Sequence, residues 1–136
     1  MFTISSQSDY GLIILSNLIK KKDFVPLTDL VKDTELPLRF LARIAAEMAK
    51  NGILKSREGR DGGYMISPKI KKISLYSYLK IFEDDIGICK CCEKNYICQY
   101  QVICHHGKFL QNKLTKVLSD QLKKIKLIEI FNRDTY

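Results

Sequence analysis

The chain has 136 residues, a hydrophobic fraction of 46% and a formal net charge of +8. Its length accommodates one compact domain with an extension and excludes two large independent domains. No stretch approaches the roughly 20 uninterrupted apolar residues that a membrane-crossing helix needs, which excludes an ordinary membrane-spanning protein.

Residues 1–10 are polar and lack the basic and apolar regions of a secretory signal. We therefore expect a protein of the reducing cytoplasm, without a membrane partner, in which the cysteines are free thiols. The positive charge favours a polyanion, and nucleic acid is the first candidate.

The first half of the chain predicts three helices. Ser5 or Ser6 can cap a helix over residues 7–20, whose apolar residues form a broad face. A short helix over 28–32 follows the break at Val25-Pro26. Pro37 can open a third helix over 38–50, which ends at Asn51-Gly52.

A glycine-rich hairpin is predicted after the third helix. Residues 53–56 and 64–66 are typical of two strands, and residues 58–63 supply the turn. Three helices followed by such a wing predict a winged helix-turn-helix, whose third helix enters the major groove of DNA. The expected fold class is therefore mainly α with a small β-hairpin wing.

Six side chains are candidates for contact with double-stranded DNA. Arginines on the third helix can donate bidentate hydrogen bonds to guanine, and basic residues on the hairpin can hold phosphate or enter the minor groove. A solvated helix face is the alternative interpretation of the two helical arginines. The candidates are Ser6, Arg39, Arg43, Lys55, Arg57 and Arg60.

The second half predicts a sensor segment and a long helix. Ser74 can cap a fourth helix over 75–82, and an apolar stripe follows the cysteines from Leu110 to Ile125. A helix that folds back onto its own domain is one interpretation of this stripe, and a dimer seam is the other, since a two-fold protein can match a two-fold DNA site. We predict a DNA-binding domain at 1–72, a helix and cysteine loop at 73–104, and a dimerisation helix and tail at 105–136.

Cys92, Cys98 and Cys104 are separated from one another by five residues each. Thiolates are soft ligands that favour zinc, copper(I) and iron-sulfur clusters, and this spacing is no standard zinc signature. Cys89 and Cys91 lie close by, so a full disulfide framework is sterically awkward and leaves one of five cysteines unpaired. The alternatives are reduced thiols without a ligand role or a structural zinc.

Several of these features together resemble the winged-helix iron-sulfur regulators typified by IscR, NsrR and RirA. The resemblance covers about residues 3–130. It rests on the order and spacing of Ser8-Asp9-Tyr10-Gly11-Leu12, Leu36-Pro37, Lys50-Asn51-Gly52-Ile53-Leu54, the wing over 57–64 and the three spaced cysteines.

The resemblance implies a homodimeric bacterial transcription factor that senses iron-sulfur, redox or nitric oxide status. Its [4Fe-4S] or [2Fe-2S] cluster is expected on Cys92, Cys98 and Cys104. The histidine ligand of the IscR-like branch is replaced here by Gly107, with His105 and His106 as neighbouring alternatives.

Asp9 is the other candidate for a fourth ligand. In the NsrR-like branch an aspartate at the matching place reaches the cluster of the partner subunit. The alternative is a first-turn acid that complements the helix dipole.

Two other functional classes follow from the cysteines. A cluster-free thiol redox regulator is the main alternative, with an oxidant-induced disulfide that involves Cys89, Cys91 or a member of the spaced triplet. Catalysis is not expected, because Cys104 and His105 are adjacent on the chain and therefore make a poor nucleophile-base pair.

Overall fold

The structure is a computed structural model that describes residues 3–132, without the side chain of Asp33. Residues 133–136 of the predicted C-terminal tail lie outside the described residues. The helices are α1 (Ser6–Leu18), α2 (Leu27–Thr34), α3 (Leu38–Lys50), α4 (Leu75–Phe82), α5 (Gly107–Phe109) and α6 (Thr115–Lys124), with strands β1 (Leu54–Arg57) and β2 (Gly63–Ile66) between α3 and α4. The expected mainly helical winged fold is confirmed.

The helix boundaries follow local capping chemistry. Ser5 caps α1 by accepting a hydrogen bond from the Ser8 backbone N–H at 3.3 Å, and Ser74 caps α4 by accepting one from Ser77 at 3.1 Å. The predicted bounds of α3 and α4 are confirmed. α1 ends two residues earlier than predicted, and α2 runs longer, to a left-handed Glu35 with φ of 57°.

The core lies where α1 and α3 meet and extends to α4 and the end of α6. Its most deeply buried side chains come from helices that are far apart in sequence, so burial of apolar area holds the two halves of the chain together. They include Ile14, Leu15, Leu41, Met48, Ile53, Tyr78 and Leu127.

The wing is an antiparallel hairpin in which Leu54 pairs with Ile66 and Arg57 with Gly63. It is fixed to the helices by a bridge in which the backbones of Val25 and Tyr64 exchange two hydrogen bonds of 2.9 Å. Gly63 is required at this bridge, because it has φ of 145° and a Cβ would collide with the Val25 carbonyl. The hairpin is therefore held against the α1–α2 connection.

The C-terminal helix folds back onto its own domain. A π-helical segment, Leu110–Leu114, joins α5 to α6, and the helix ends at Lys124. The chain then pairs with the start of α4, since Leu127 N–H donates to the Ile73 carbonyl at 2.9 Å. Leu118 and Leu122 of the apolar stripe pack into this core, while Val117 is 57% exposed. A dimerising role for the remaining exposed stripe stays a prediction.

Gly11 lies where α1 approaches α4, and a Cβ there would collide with the Tyr78 hydroxyl. We expect Gly11→Ala to lower the free energy of unfolding by about 1–3 kcal/mol, because the buried Tyr78 must shift. Urea denaturation measures the loss. Ser16→Ala on the exposed face of α1 is the control, with an expected change within about 0.5 kcal/mol. Equal stabilities of the two variants would contradict the prediction.

Candidate functional site

The five cysteines lie in the segment between α4 and α5, and all are half-buried free thiols. The segment contains a 3-10 turn at Lys90–Cys92. Its conformation is set at one end by α4 and at the other by the π-helical segment, so the thiols are held between two helical supports.

Three thiols share one cavity of about 200 Å³, which we call the thiol cavity. Its cysteines are Cys91, Cys98 and Cys104, and the remaining wall is formed by Tyr96, Gln101, Gly107, Lys108 and Gln111. Cys92 is not among these residues. The structure thus brings together two of the three predicted cluster ligands and adds Cys91.

Cys92 lies outside the thiol cavity, but it lines another cavity of about 410 Å³ together with Cys91, Gln111 and Thr115. Its sulfur lies 3.5 Å from the Thr115 hydroxyl, and it is 3.1 Å from the position that a Cβ on Gly87 would take. It faces a second cavity of about 200 Å³, lined also by Thr3, Glu83 and Cys89. Its assignment as a cluster ligand stays a prediction.

Cys89 is the neighbour of both adjacent thiols. Its sulfur lies 3.1 Å from that of Cys91 and 3.2 Å from that of Cys92. Hydrogen bonding to Cys91 and burial raise the pKa of Cys89 to about 12, so it stays a protonated donor. Burial acts to raise the pKa of Cys92, but its hydrogen bonds with the side chains of Thr115 and Cys89 and with the backbone outweigh it, and the net shift is downward. Cys92 is therefore favoured as a thiolate.

The π-helical segment anchors this arrangement. The Thr115 hydroxyl donates to the Leu110 carbonyl at 3.0 Å, and the Gln111 side-chain amide donates to the Cys91 carbonyl. π turns inside α-helices are frequent at functional sites. Here the extra residue lets one helix contact both Cys91 and Cys92.

Cys104 has its own polar surroundings. The Gly107 backbone N–H donates to its sulfur at 3.2 Å, and the His106 ring nitrogen Nδ1 lies 3.6 Å from it. His105 and His106 are both exposed, outside the wall of the thiol cavity. Gly107 thus takes part through its backbone, whereas the two histidines stay predictions as fourth ligands.

The thiol cavity suits an iron-sulfur cluster by the chemistry of its donors. Within residues 3–132, no three His, Cys, Asp or Glu side chains are grouped so that they hold a single metal ion. A cluster is larger than one ion and is held by thiolates around its edge, with hydrogen bonds to sulfur tuning it. Three cysteines around one space and the N–H of Gly107 at Cys104 provide both features.

Glu83 connects the cysteine segment to the DNA-binding half. Its carboxylate accepts hydrogen bonds from the Ser8 hydroxyl at 2.6 Å and from the Ser5 backbone N–H at 2.9 Å. Burial acts to raise the pKa of Glu83, but these hydrogen bonds outweigh it and lower the pKa below its usual value. Tyr78 adds a hydrogen bond from its hydroxyl to the Ser8 carbonyl at 2.6 Å. The start of α1 is thereby fixed to the end of α4.

Asp9 is exposed in the first turn of α1, next to this junction. Burial raises the pKa of Tyr78 far above its usual value, and the charges of Asp9 and Glu83 add to the effect. Because Asp9 is exposed, its carboxylate is accessible from outside the chain. Its predicted role as a ligand to the cluster of a partner subunit stays a prediction.

All six predicted DNA-contacting residues are exposed, and among them Ser6 lies at the start of α1, Arg39 on α3, and Lys55 and Arg60 on the wing. Arg57 is also exposed, but its guanidinium stacks 4.2 Å from the Phe24 ring centroid and donates to the Asp61 carbonyl. Arg43 lines a cavity of about 310 Å³ with Gln7 and Asp84. Arg57 therefore stabilises the wing, whereas Arg43 is exposed on α3 near the end of α4.

Sequence reasoning missed Glu83, Gln111 and Thr115. Glu83 carries no local motif, because its serine partners lie more than 70 positions away on the chain. Gln111 and Thr115 looked like ordinary polar residues on a helix, and nothing local predicts a π turn. A further basic group lies on the 3-10 turn after the wing, where Lys69, Lys71 and Lys72 are exposed. The clustering of these lysines in the sequence indicated it.

Comparison with known proteins identifies one family along nearly the whole chain. A family profile described as "Rrf2: Iron-dependent Transcriptional regulator" matches residues 4–133. In the part of the chain that the structure describes, no helix is both long and apolar enough to cross a membrane.

Individual relatives carry related names. IscR of Erwinia tasmaniensis is 26% identical over 79% of this chain and 64% of its own length. NsrR of Bacillus licheniformis is 27% identical over 88% of this chain and 82% of its own. The chain spans only 53% of a third relative, a helix-turn-helix transcriptional regulator of Aquifex aeolicus that is 30% identical over 55% of this chain.

Among solved structures, CymR, the global cysteine regulator of B. subtilis, superposes with a TM-score of 0.71 at 18% identity. The match covers 96% of this chain and 97% of that one. At this identity the likeness establishes a shared fold.

The lowered pKa of Glu83 predicts an acid-dependent loss of stability. A carboxylate whose pKa is lowered by folding stabilises the fold above its unfolded pKa of about 4.3, and this contribution disappears as pH falls through the folded pKa. Glu83→Gln should therefore be less stable than the wild type at pH 7, with a smaller difference near pH 3.5. Urea denaturation at both pH values measures this, and an equal difference would contradict the prediction.

Proposed function

This chain belongs to the Rrf2 family of transcriptional regulators, and from that premise we propose that it is a homodimeric DNA-binding regulator controlled by an iron-sulfur cluster. The cluster, when bound, supplies an oxidant-sensitive or ligand-sensitive inorganic centre. Cys98 and Cys104 hold it together with a third thiol from the adjacent Cys91-Cys92 pair. The signal is iron-sulfur, redox or nitric oxide status in the cytoplasm.

The observation that carries this proposal is the connection between the cysteine segment and α1. Glu83 immediately precedes that segment and is hydrogen-bonded to Ser5 and Ser8, and Thr3 shares a cavity with Cys89 and Cys92. A rearrangement of the segment therefore acts on the start of α1, which packs on the recognition helix α3. In a dimer, such a change alters the spacing of two recognition helices and hence their match to an operator.

In the proposed DNA-binding half, different residues contact the bases and the phosphates. Arg39 lies in the first turn of α3, exposed, where helix-turn-helix proteins contact base edges. Lys55 and Arg60 on the wing reach phosphates beside the groove. Arg57 keeps the wing in place through Phe24 and the Asp61 carbonyl.

A cluster-free thiol switch is the second candidate, and the sulfur geometry around Cys89 favours it. The Cys92 thiolate takes an oxygen atom from a peroxide to give a sulfenic acid. Cys89 then gives up its proton to the departing hydroxide as its sulfur attacks that of Cys92, which forms a disulfide with loss of water. The Cys89 and Cys92 sulfurs, 3.2 Å apart, need only a small displacement for this bond. Nonreducing mass spectrometry after mild peroxide detects it as a Cys89–Cys92 crosslink.

Purification without oxygen separates the two candidates. We expect the wild type to contain iron and sulfide with visible absorption, and Cys98→Ala to lose both and to bind operator DNA with altered affinity. Iron and sulfide assays and fluorescence anisotropy on the same samples measure this. An iron-free protein that still binds DNA would favour the thiol switch, and identical DNA affinity with and without the cluster would refute control by the cluster.

The predicted phosphate contact of Arg60 is testable without a known operator. Arg60→Ala should reduce the slope of log affinity against log salt by about 1, because one fewer counterion is released. Anisotropy with a random-sequence duplex across a salt series measures the slope. Lys124→Ala, an exposed lysine at the end of α6, is the control with an unchanged slope. Equal slopes for both variants would exclude Arg60 from the contact.

A further inference from the structure

We propose that Leu38 reads the 5-methyl group of a thymine in the operator, beside the base pair that Arg39 contacts. The inference rests on the proposed function of a DNA-binding regulator and adds an apolar contact to its polar ones. Thymine is the DNA base that presents a methyl group in the major groove, so an apolar side chain that reaches this group selects thymine over the other three bases.

Leu38 is an exposed leucine in a half of the chain that buries most of its large apolar side chains. It lies in the first turn of α3 and is 48% exposed. Over the described residues 3–72, the one other exposed large apolar side chain is Ile4, ahead of α1. The apolar side chains that α3 turns toward the core are at most 2% exposed: Leu41, Ile44, Ala45 and Met48. The accessible part of Leu38 is therefore surface that the packing of α3 leaves free.

The position of Leu38 is the part of a recognition helix that reaches base edges. In helix-turn-helix proteins the N-terminal residues of this helix contact bases in the major groove. Leu38 and Arg39 are the first two residues of α3, and both are exposed. Phe40 turns away from them and packs edge-on against Tyr10 of α1, with ring centroids 5.4 Å apart. The first turn thus presents one apolar group and one cation side by side.

Backbone contacts fix the direction of this first turn. The Pro37 carbonyl accepts hydrogen bonds from the N–H groups of Phe40 and Leu41, both at 3.1 Å. Consecutive Cα atoms lie about 3.8 Å apart, and successive base pairs are stacked about 3.4 Å apart. Because the two spacings are similar, Leu38 and Arg39 address neighbouring base pairs. The geometry predicts a half-site with a thymine next to the guanine that Arg39 is expected to bind.

The contact of Leu38 acts through the hydrophobic effect. Contact between its side chain and the thymine methyl group removes apolar surface of both from water, by an amount equivalent to roughly one buried CH₂ group. The expected gain in affinity is about fourfold. A polar base edge at this place loses hydrogen bonds to water against the leucine without a replacement, so the other bases are disfavoured.

Selection from a pool of random-sequence duplexes tests the assignment without a known operator. Wild type, Leu38→Ala and Ile4→Ala are purified as full chains without oxygen, and the duplexes that each protein retains are sequenced. We expect wild type and Ile4→Ala to select one common half-site that contains the thymine. Leu38→Ala should lose the thymine preference at that single position and keep the neighbouring guanine.

The two variants are matched in the exposure of the side chain that is removed. Ile4 and Leu38 are each 48% exposed, so both substitutions delete a similar apolar surface. Alanine has the highest helix propensity, so Leu38→Ala leaves α3 intact, and circular dichroism verifies this.

Replacement of the selected thymine by deoxyuridine isolates the methyl group. Deoxyuridine keeps every hydrogen-bonding group of thymine and lacks only the methyl group. Fluorescence anisotropy should show that this replacement weakens binding by wild type about fourfold and leaves binding by Leu38→Ala unchanged.

The outcomes separate this inference from the proposed function. Equal affinity of wild type for the two duplexes, or a thymine preference that Leu38→Ala retains, overturns the assignment of Leu38 alone. A deoxyuridine effect that persists in Leu38→Ala also overturns it, since thymine is then read through another residue or through the shape of the DNA. A wild-type protein that selects no sequence overturns the reading of DNA and the assignment together.

Discussion

The hydrogen bonds around Ser8 join the two functional halves of the chain. Ser8 is fully buried in the first turn of α1, where its hydroxyl donates to Glu83 and its carbonyl accepts from Tyr78. A partly buried carboxylate is stabilised by such donors, so these hydrogen bonds hold the start of α1 against the end of α4. Gly11 completes it by leaving space for the Tyr78 hydroxyl. The winged-helix half and the cysteine segment are therefore joined at this point, where the start of α1 meets the end of α4.

The same junction explains why the cysteine segment needs little secondary structure of its own. One end continues from Glu83, and the other enters the helix that packs on α4. Between these ends, a single 3-10 turn and a few polar contacts are enough to direct each thiol. The conformation of the segment is therefore set mainly by the helices at its two ends.

Local rules predicted much of the fold, because caps and turns depend on a few neighbouring residues. Ser5, Ser74 and the glycines of the wing each act within a span of several residues, and α3 and the hairpin lie where they were predicted. The Glu83 junction and the stacking of Arg57 on Phe24 depend on residues distant in sequence, so no local pattern could reveal them. Cys91 and Cys92 are adjacent in sequence, and only the structure shows that Cys91 lines the thiol cavity and that Cys92 lies beside Thr115.

The π-helical segment Leu110–Leu114 also sets the angular phase of the C-terminal helix. An α-helix advances about 100° per residue, and a π turn contains roughly one residue more than an α turn. Gln111 before the offset is oriented by the cysteine segment, whereas Leu118 and Leu122 after it are oriented by the core. Conversion of that turn to regular α-helix would rotate one half of the helix against the other by about 100°. A rearrangement of the cysteine segment that removed this π turn would therefore also change the direction in which the exposed face around Val117 points.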